Sequence, residues 1–174
     1  MENSNYTITK CTVECYKIRK STGLWADINI DEEENTGRIQ IASDYGSWQY
    51  YWGPCGKSFK KFLIGLDIGY ASGKFGESDW FDLDATIKYL KNRIDEYGFD
   101  DDEKESVLNE LNELTDVSCK EEFVHIVSNC DLIMNMEDGM PNMCKNISPT
   151  FKNFWETIWQ VFINELKKEL DIVS

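Results

Sequence analysis

Few residues of this chain have the types and spacing of a reaction centre. The segment GPCGKS, Gly53 to Ser58, ends like a phosphate loop, in which backbone N–H groups cradle phosphates and a lysine reaches them. That loop needs a glycine five residues before the Gly of Gly-Lys; the position holds Tyr51, and a strand-like stretch precedes it. A turn and a helix start are expected instead. Cys55, beside Gly56 and near Lys57, is a candidate nucleophile, since a cation and a helix start lower a thiol's pKa. His125 is the single imidazole, on a helical stretch between Val124 and Ile126, and is expected as a half-exposed helix residue rather than a general base or metal ligand. Glu77, Asp79, Asp82 and Asp84 alternate with Trp80, Phe81 and Leu83 and imitate a divalent-metal cluster. They lack the central glycine and closing glutamate of a calcium loop, so helix capping is the expectation and no metal or other cofactor is implied.

The six cysteines, Cys11, Cys15, Cys55, Cys119, Cys130 and Cys144, form no close metal-binding pair and are read as free thiols. In a strand Cys11 and Cys15 share a face, and burial as small hydrophobes is expected there.

What stands out is charge. The 174 residues hold 32 acidic and 18 basic side chains, a formal −14. Direct binding to nucleic acid or to an anionic membrane is excluded on that ground. Residues 1–76 are neutral, residues 77–122 carry −11 and residues 123–174 carry −3. Carboxylates concentrated in one quarter of the chain repel one another, a cost that a positively charged partner would explain. Glu77, Asp79, Asp82, Asp84, Asp95, Glu96, Asp100, Asp101, Asp102, Glu103, Glu105, Glu110, Glu113 and Asp116 are the candidate partner-binding set, with Tyr45 and Tyr51 as apolar anchors. Rows of carboxylates would mark a surface that imitates phosphates; carboxylates interspersed with lysine would mark a solvated face.

The elements that must position these residues read as an α+β fold of about four N-terminal antiparallel strands packed against helices, with a largely helical C-terminal half. Strands are expected over 7–18, 24–30, 38–43 and 48–52, with a turn at 31–37; Ala26, Ile28, Ile30, Ile39, Ile41, Trp48, Tyr50 and Trp52 face inward. The period then lengthens: Phe59, Phe62, Leu63 and Leu66 line a short helix, and the glycines of 65–76 predict a turn or broken helix. Asp82 or Asp84 caps a helix running to Tyr97, with Ile87, Leu90, Ile94 and Tyr97 as its stripe. Asp100 to Asp102 open a second helix with Val107, Leu108, Leu111 and Leu114 inward, and Ser118 with Glu121 spells the capping box of a third. Residues 131–147 read as irregular or briefly helical. Ser148-Pro149 starts a last helix to Leu170, whose broad stripe around Trp155, Trp159 and Phe162 fits a central core helix or, alternatively, a homodimer element over 148–170. A single domain over 1–174 is expected, strand-rich over 1–76 and helical over 77–174. With no long apolar run and no signal-peptide pattern at its start, the chain is expected in the cytoplasm.

The run IASDYGSWQYYWG, Ile41 to Gly53, followed by KSFKKFLIGLDIGYASGKFG, Lys57 to Gly76, resembles small proteins encoded by phages and prophages. The matching positions are Asp44, Tyr45, Gly46, Trp52, Gly53, Phe59, Phe62 and Leu63. The resemblance implies no catalytic residue. Small acidic phage proteins include inhibitors of CRISPR nucleases, so together with the charge it implies a non-enzymatic inhibitor acting on a basic nucleic-acid-handling protein or nuclease, such as a CRISPR effector, in competition with DNA or guide RNA. The alternatives are a phage structural or adaptor homodimer and a small enzyme using Cys55 or the Glu77 to Asp84 carboxylates.

Overall fold

A computed structural model describes residues 6–114, 117 and 119–172. The fold is α+β, as the sequence pattern implies, and the chain divides into two compact units, residues 1–77 with 147–174 and residues 78–146. The chain leaves the first unit next to the expected boundary at 76, while the last helix returns to it from the far end of the sequence.

In the first unit β1 (Glu14–Arg19), β2 (Trp25–Glu33), β3 (Thr36–Ser43) and β4 (Gly46–Trp52) form an antiparallel meander in the order β1-β2-β3-β4. Alternation puts Ala26, Ile28, Ile30, Ile39, Ile41, Trp48 and Trp52 in the core, and the register places Ile28 opposite Ile41 and Ile41 opposite Trp48. The turn expected over 31–37 is narrower. β2 runs through Glu33, because Asp31 pairs across the ladder with Arg38, an opposite charge, and only Glu34 and Asn35 are left to turn.

The strand expected from residue 7 joins the ladder only at Glu14; residues 6–13 are exposed and outside it. The inward side chains of β1 are Tyr16 and Ile18, so Cys11 and Cys15 are exposed rather than buried.

Helices cover one face of the sheet. α1 (Phe59–Ile64) is capped by Ser58, and α2 (Ile68–Phe75) replaces the turn expected over 65–76. The Asp67 side chain caps α2, accepting from the Tyr70 N–H at 2.8 Å, and Gly76 ends it at φ 78°. Ile68, Ala71 and Phe75, spaced three and four apart, pack on the core, and that burial outweighs the helix cost of Gly69 and Gly73.

The last helix comprises α7 (Pro149–Phe154), a π-helical turn (Trp155–Trp159) and α8 (Gln160–Glu169). Phe151, Phe154, Trp155, Ile158, Trp159, Phe162, Ile163 and Leu166 are all buried in the sheet core. Each such side chain contributes about 1.5–3 kcal/mol by leaving water. Trp155, Trp159 and Phe162 are 9%, 1% and 1% exposed, so these three side chains serve the core of their own chain, while Val161 on the same helix is 51% exposed.

The second unit is tied at its ends by a two-stranded ladder, β5 (Trp80–Phe81) with β6 (Lys145–Asn146). Between them lie α3 (Leu83–Tyr97), α4 (Asp101–Glu113), α5 (Lys120–Val127) and α6 (Asp131–Met136) around Leu90, Ile94, Val107, Leu111, Phe123 and Ile133. Ile87 packs half-buried against this core, Thr86 beside it is fully buried, and Tyr97 is exposed. Ser118, the expected cap of α5, lies outside the described residues; the N-cap position is Cys119, whose side chain makes no capping bond.

Candidate acidic interface

Residues 78–146 hold eighteen acidic and six basic side chains, a formal −12 of the chain's −14. Within this unit the carboxylates sort by helix. α4 begins at Asp100, whose side chain accepts from the Glu103 N–H at 2.8 Å while the Glu103 side chain accepts from the Asp100 N–H at 3.1 Å. This reciprocal capping box fixes the first turn and satisfies two orphan donors. Val107, Leu111 and Leu114 anchor the inner side.

At 100° per residue the opposite arc of α4 carries Asp102, Glu105, Ser106, Asn109, Asn112 and Glu113, all exposed. It holds carboxylates, amides and a hydroxyl; Lys104, the one basic residue of α4, points to the opposite flank and is half-buried, and Lys91 of α3 reaches the arc at Asn112. Asp101 flanks this arc on one edge and Glu110 on the other, both exposed.

α3 differs. Along it Asp84 is followed by Lys88, Lys91 and Arg93 and then by Asp95 and Glu96, so both signs share the helix. Arg93 donates to Glu96 at 3.1 Å and to Glu137 at 3.3 Å, and Lys91 Nζ donates to Asn112 Oδ1 at 2.7 Å. The α3 carboxylates therefore form an ordinary solvated face, whereas those of α4 form a row.

Other members of the expected set have local structural work. Asp82 caps α3, accepting from the Ala85 N–H at 3.0 Å and from Asn146 Nδ2 at 2.9 Å. Asp79 pairs with Lys145 at 3.1 Å. Asp84 and Asp95 are exposed, and Asp116 lies outside the described residues. Glu77 belongs to the sheet unit, where it accepts from the Trp48 indole N–H at 2.8 Å. Tyr45 is in the same unit, half-buried with its ring edge-on to Phe154 and its hydroxyl accepting from Thr157 at 3.1 Å. Tyr51, 54% exposed on the open sheet face with Arg38 over its ring, is the anchor candidate that stays accessible. Asn109 and Asn112, which complete the α4 arc, were missed because amides carry no charge signal; spacing from Glu105 would have found them.

The catalytic candidates fare differently. Cys55 is buried, its thiol donating to the Asn35 carbonyl at 3.0 Å; burial and the nearby Glu32 push its pKa up, the reverse of the activated thiol considered from the sequence. Its loop is tied to the β2–β3 turn, since the Phe59 N–H donates to Glu32 at 2.9 Å, and Gly53 to Ser58 serve as connection and helix cap. His125 is exposed in the last turn of α5. Among the described residues no group of three or more His, Cys, Asp or Glu could hold a metal ion.

A protein-family model described as a phage family, Phage_phiTE_072, matches residues 6–170. The chain belongs to this phage family. The match spans both units, well beyond the 41–76 run that carries the resemblance in sequence. No curated protein and no solved structure matches this member of Phage_phiTE_072. Among its described residues no helix is long and apolar enough to cross a membrane.

Proposed function

We propose that this phage protein is a non-enzymatic inhibitor that binds a basic nucleic-acid-handling protein, of which a CRISPR effector is one example, through the outer face of α4, and so competes with DNA or guide RNA. The observation that carries the reading is the exposed row Asp102, Glu105, Glu113, which has no ion pair among the described residues and stands on a helix fixed by its own capping box. Rigid carboxylates can occupy a channel whose lysines and arginines otherwise meet phosphates, and steering between opposite fields speeds the encounter.

The test is binding of the full chain to a host nucleic-acid-binding protein found by copurification, followed by displacement of that protein's DNA or RNA. The triple variant D102N/E105Q/E113Q keeps the capping box and the core. It is expected to bind at least about tenfold more weakly, a loss of about 1.4 kcal/mol, with a shallower salt dependence. Unchanged affinity removes α4 from the mechanism. Reversal of Asp100 or Glu103 is a poor test, because both hold the helix start.

A further inference from the structure

We propose that residues 6–13 of one copy pair antiparallel with β1 of a second copy, joining two sheets across their β1 edges in a two-fold dimer. β1 is an outer strand of the sheet, so one side of it offers N–H and C=O groups that no other strand among the described residues engages. The preceding residues, Tyr6 to Val13, have strand composition and run directly into β1, yet all are exposed and have no ladder partner; Tyr6 and Ile8 are 85% and 95% exposed. Folding back onto β1 of their own chain is disfavoured. Such a hairpin needs a turn near Thr12, and residues 6–14 contain no Gly, Pro, Asn or Asp to make one. A second copy is free of that constraint.

The receiving edge suits the segment. An open cleft of about 990 Å³ lies between β1 and α8, with Ile18, Val161, Phe162 and Ile172 among its lining. Continuing β1 toward the N-terminus keeps even-numbered residues on the face of Tyr16 and Ile18, so Ile8 and Tyr6 would turn toward the helices and into the partner's cleft. With the two-fold axis at Val13, itself 47% exposed, Ile8 falls opposite the partner's Ile18 and Cys11 opposite the partner's Cys15. Both cysteines are exposed. The surface involved lies in the near-neutral unit, so the carboxylates of 78–146 are not needed for the association.

The full chain under reducing conditions is expected to sediment at twice its 20.3 kDa mass. I8D and V13P are expected to return it to a single-chain mass, with the melting temperature and far-UV spectrum of the folded monomer kept, because both positions are exposed outside the ladder. Oxidised glutathione, which takes two electrons and the two thiol protons and leaves as two reduced molecules, is expected to form the intermolecular Cys11–Cys15 disulfide. C11S and C15S should each abolish that link, since every bond needs one of each residue. A single-chain mass throughout about 1–100 µM overturns the proposal, as does a dimer that persists in both I8D and V13P. Crosslinking that survives C15S contradicts the register. A polyglutamate peptide that binds the cleft of a chain remaining single, drawn by Lys17 and Lys167, assigns the cleft to an acidic strand and overturns the dimer.

Discussion

At the scale of single residues, carboxylates of the same type do different work, and substitution separates them. Asp100 and Glu103 close the capping box of α4, so D100A is expected to destabilise the chain by about 1 kcal/mol, read as a lowered thermal midpoint. Glu105, one turn further along and exposed, makes no ion pair among the described residues; E105Q should leave the midpoint unchanged or slightly raised. Equal losses in both variants would contradict this division. A second cluster tests pH dependence. Lys60 Nζ pairs with Glu14 at 2.6 Å and Glu169 at 2.7 Å, while the Tyr16 hydroxyl, with one proton to donate, lies 2.9 Å from an oxygen of each carboxylate. The bond from Lys60 holds the Glu14 pKa below its usual 4.5. Burial alone would lower Lys60, but the bonds to Glu14 and Glu169 outweigh it and raise its pKa, and burial pushes Tyr16 up to about 12. A depressed carboxylate contributes stability above pH 4.5 that is lost as pH falls through its folded value. A raised lysine contributes below 10.5 and is lost as pH rises, and a tyrosine kept neutral weakens the fold once the unfolded chain ionises above 10. Wild-type denaturation should therefore steepen below about pH 4.5 and above about pH 10. K60M should remove the lysine's share of the alkaline limb, keep that of the buried Tyr16, and flatten the acid limb as Glu14 returns toward its usual pKa; limbs identical to wild type would show that Lys60 contributes nothing.

At the scale of elements, four strands and the capped helices were legible because period-two and period-3.6 patterns coincide with clear punctuation: Gly53-Pro54, Asp82, Asp100 with Gly98, and Ser148-Pro149. α2 was not, because its glycines weigh against helix locally, and only the core partners of Ala71 and Phe75 reverse that balance. β5 with β6 and the π turn were invisible for a related reason: a two-residue ladder leaves no period, and the π turn interrupts an unbroken aromatic stripe without changing its composition. The candidate site was legible as a charge excess, but not as a face, since the difference between α3 and α4 lies in where the lysines point. Packing gives a sharp check on the sheet. A Cβ at Gly37 would lie 2.2 Å from the ring of Phe59, which is fully buried. G37A is expected to cost about 1–3 kcal/mol in denaturant unfolding. A stability change under about 0.5 kcal/mol would mean that Phe59 does not sit over β3 in this way.

At the scale of the whole molecule, charge is separated from the larger core. The sheet unit carries the aromatic packing and is nearly neutral, while residues 78–146 carry the formal −12 around a smaller apolar cluster. Self-repulsion there is screened as the Debye length falls from about 30 Å at 0.01 M salt to about 3 Å at 1 M. Sodium chloride should accordingly raise thermal stability, and the triple α4 variant should gain less from it than wild type does. On the proposed function, the same field that costs stability would steer α4 toward a positive partner. The most direct measurement is the affinity of wild type and D102N/E105Q/E113Q for one copurified nucleic-acid-binding protein, with its cognate DNA or RNA as competitor. The account predicts that nucleic acid displaces the wild-type chain and that the variant binds at least about tenfold more weakly. Equal affinities, or simultaneous binding of the chain and the nucleic acid, would contradict it.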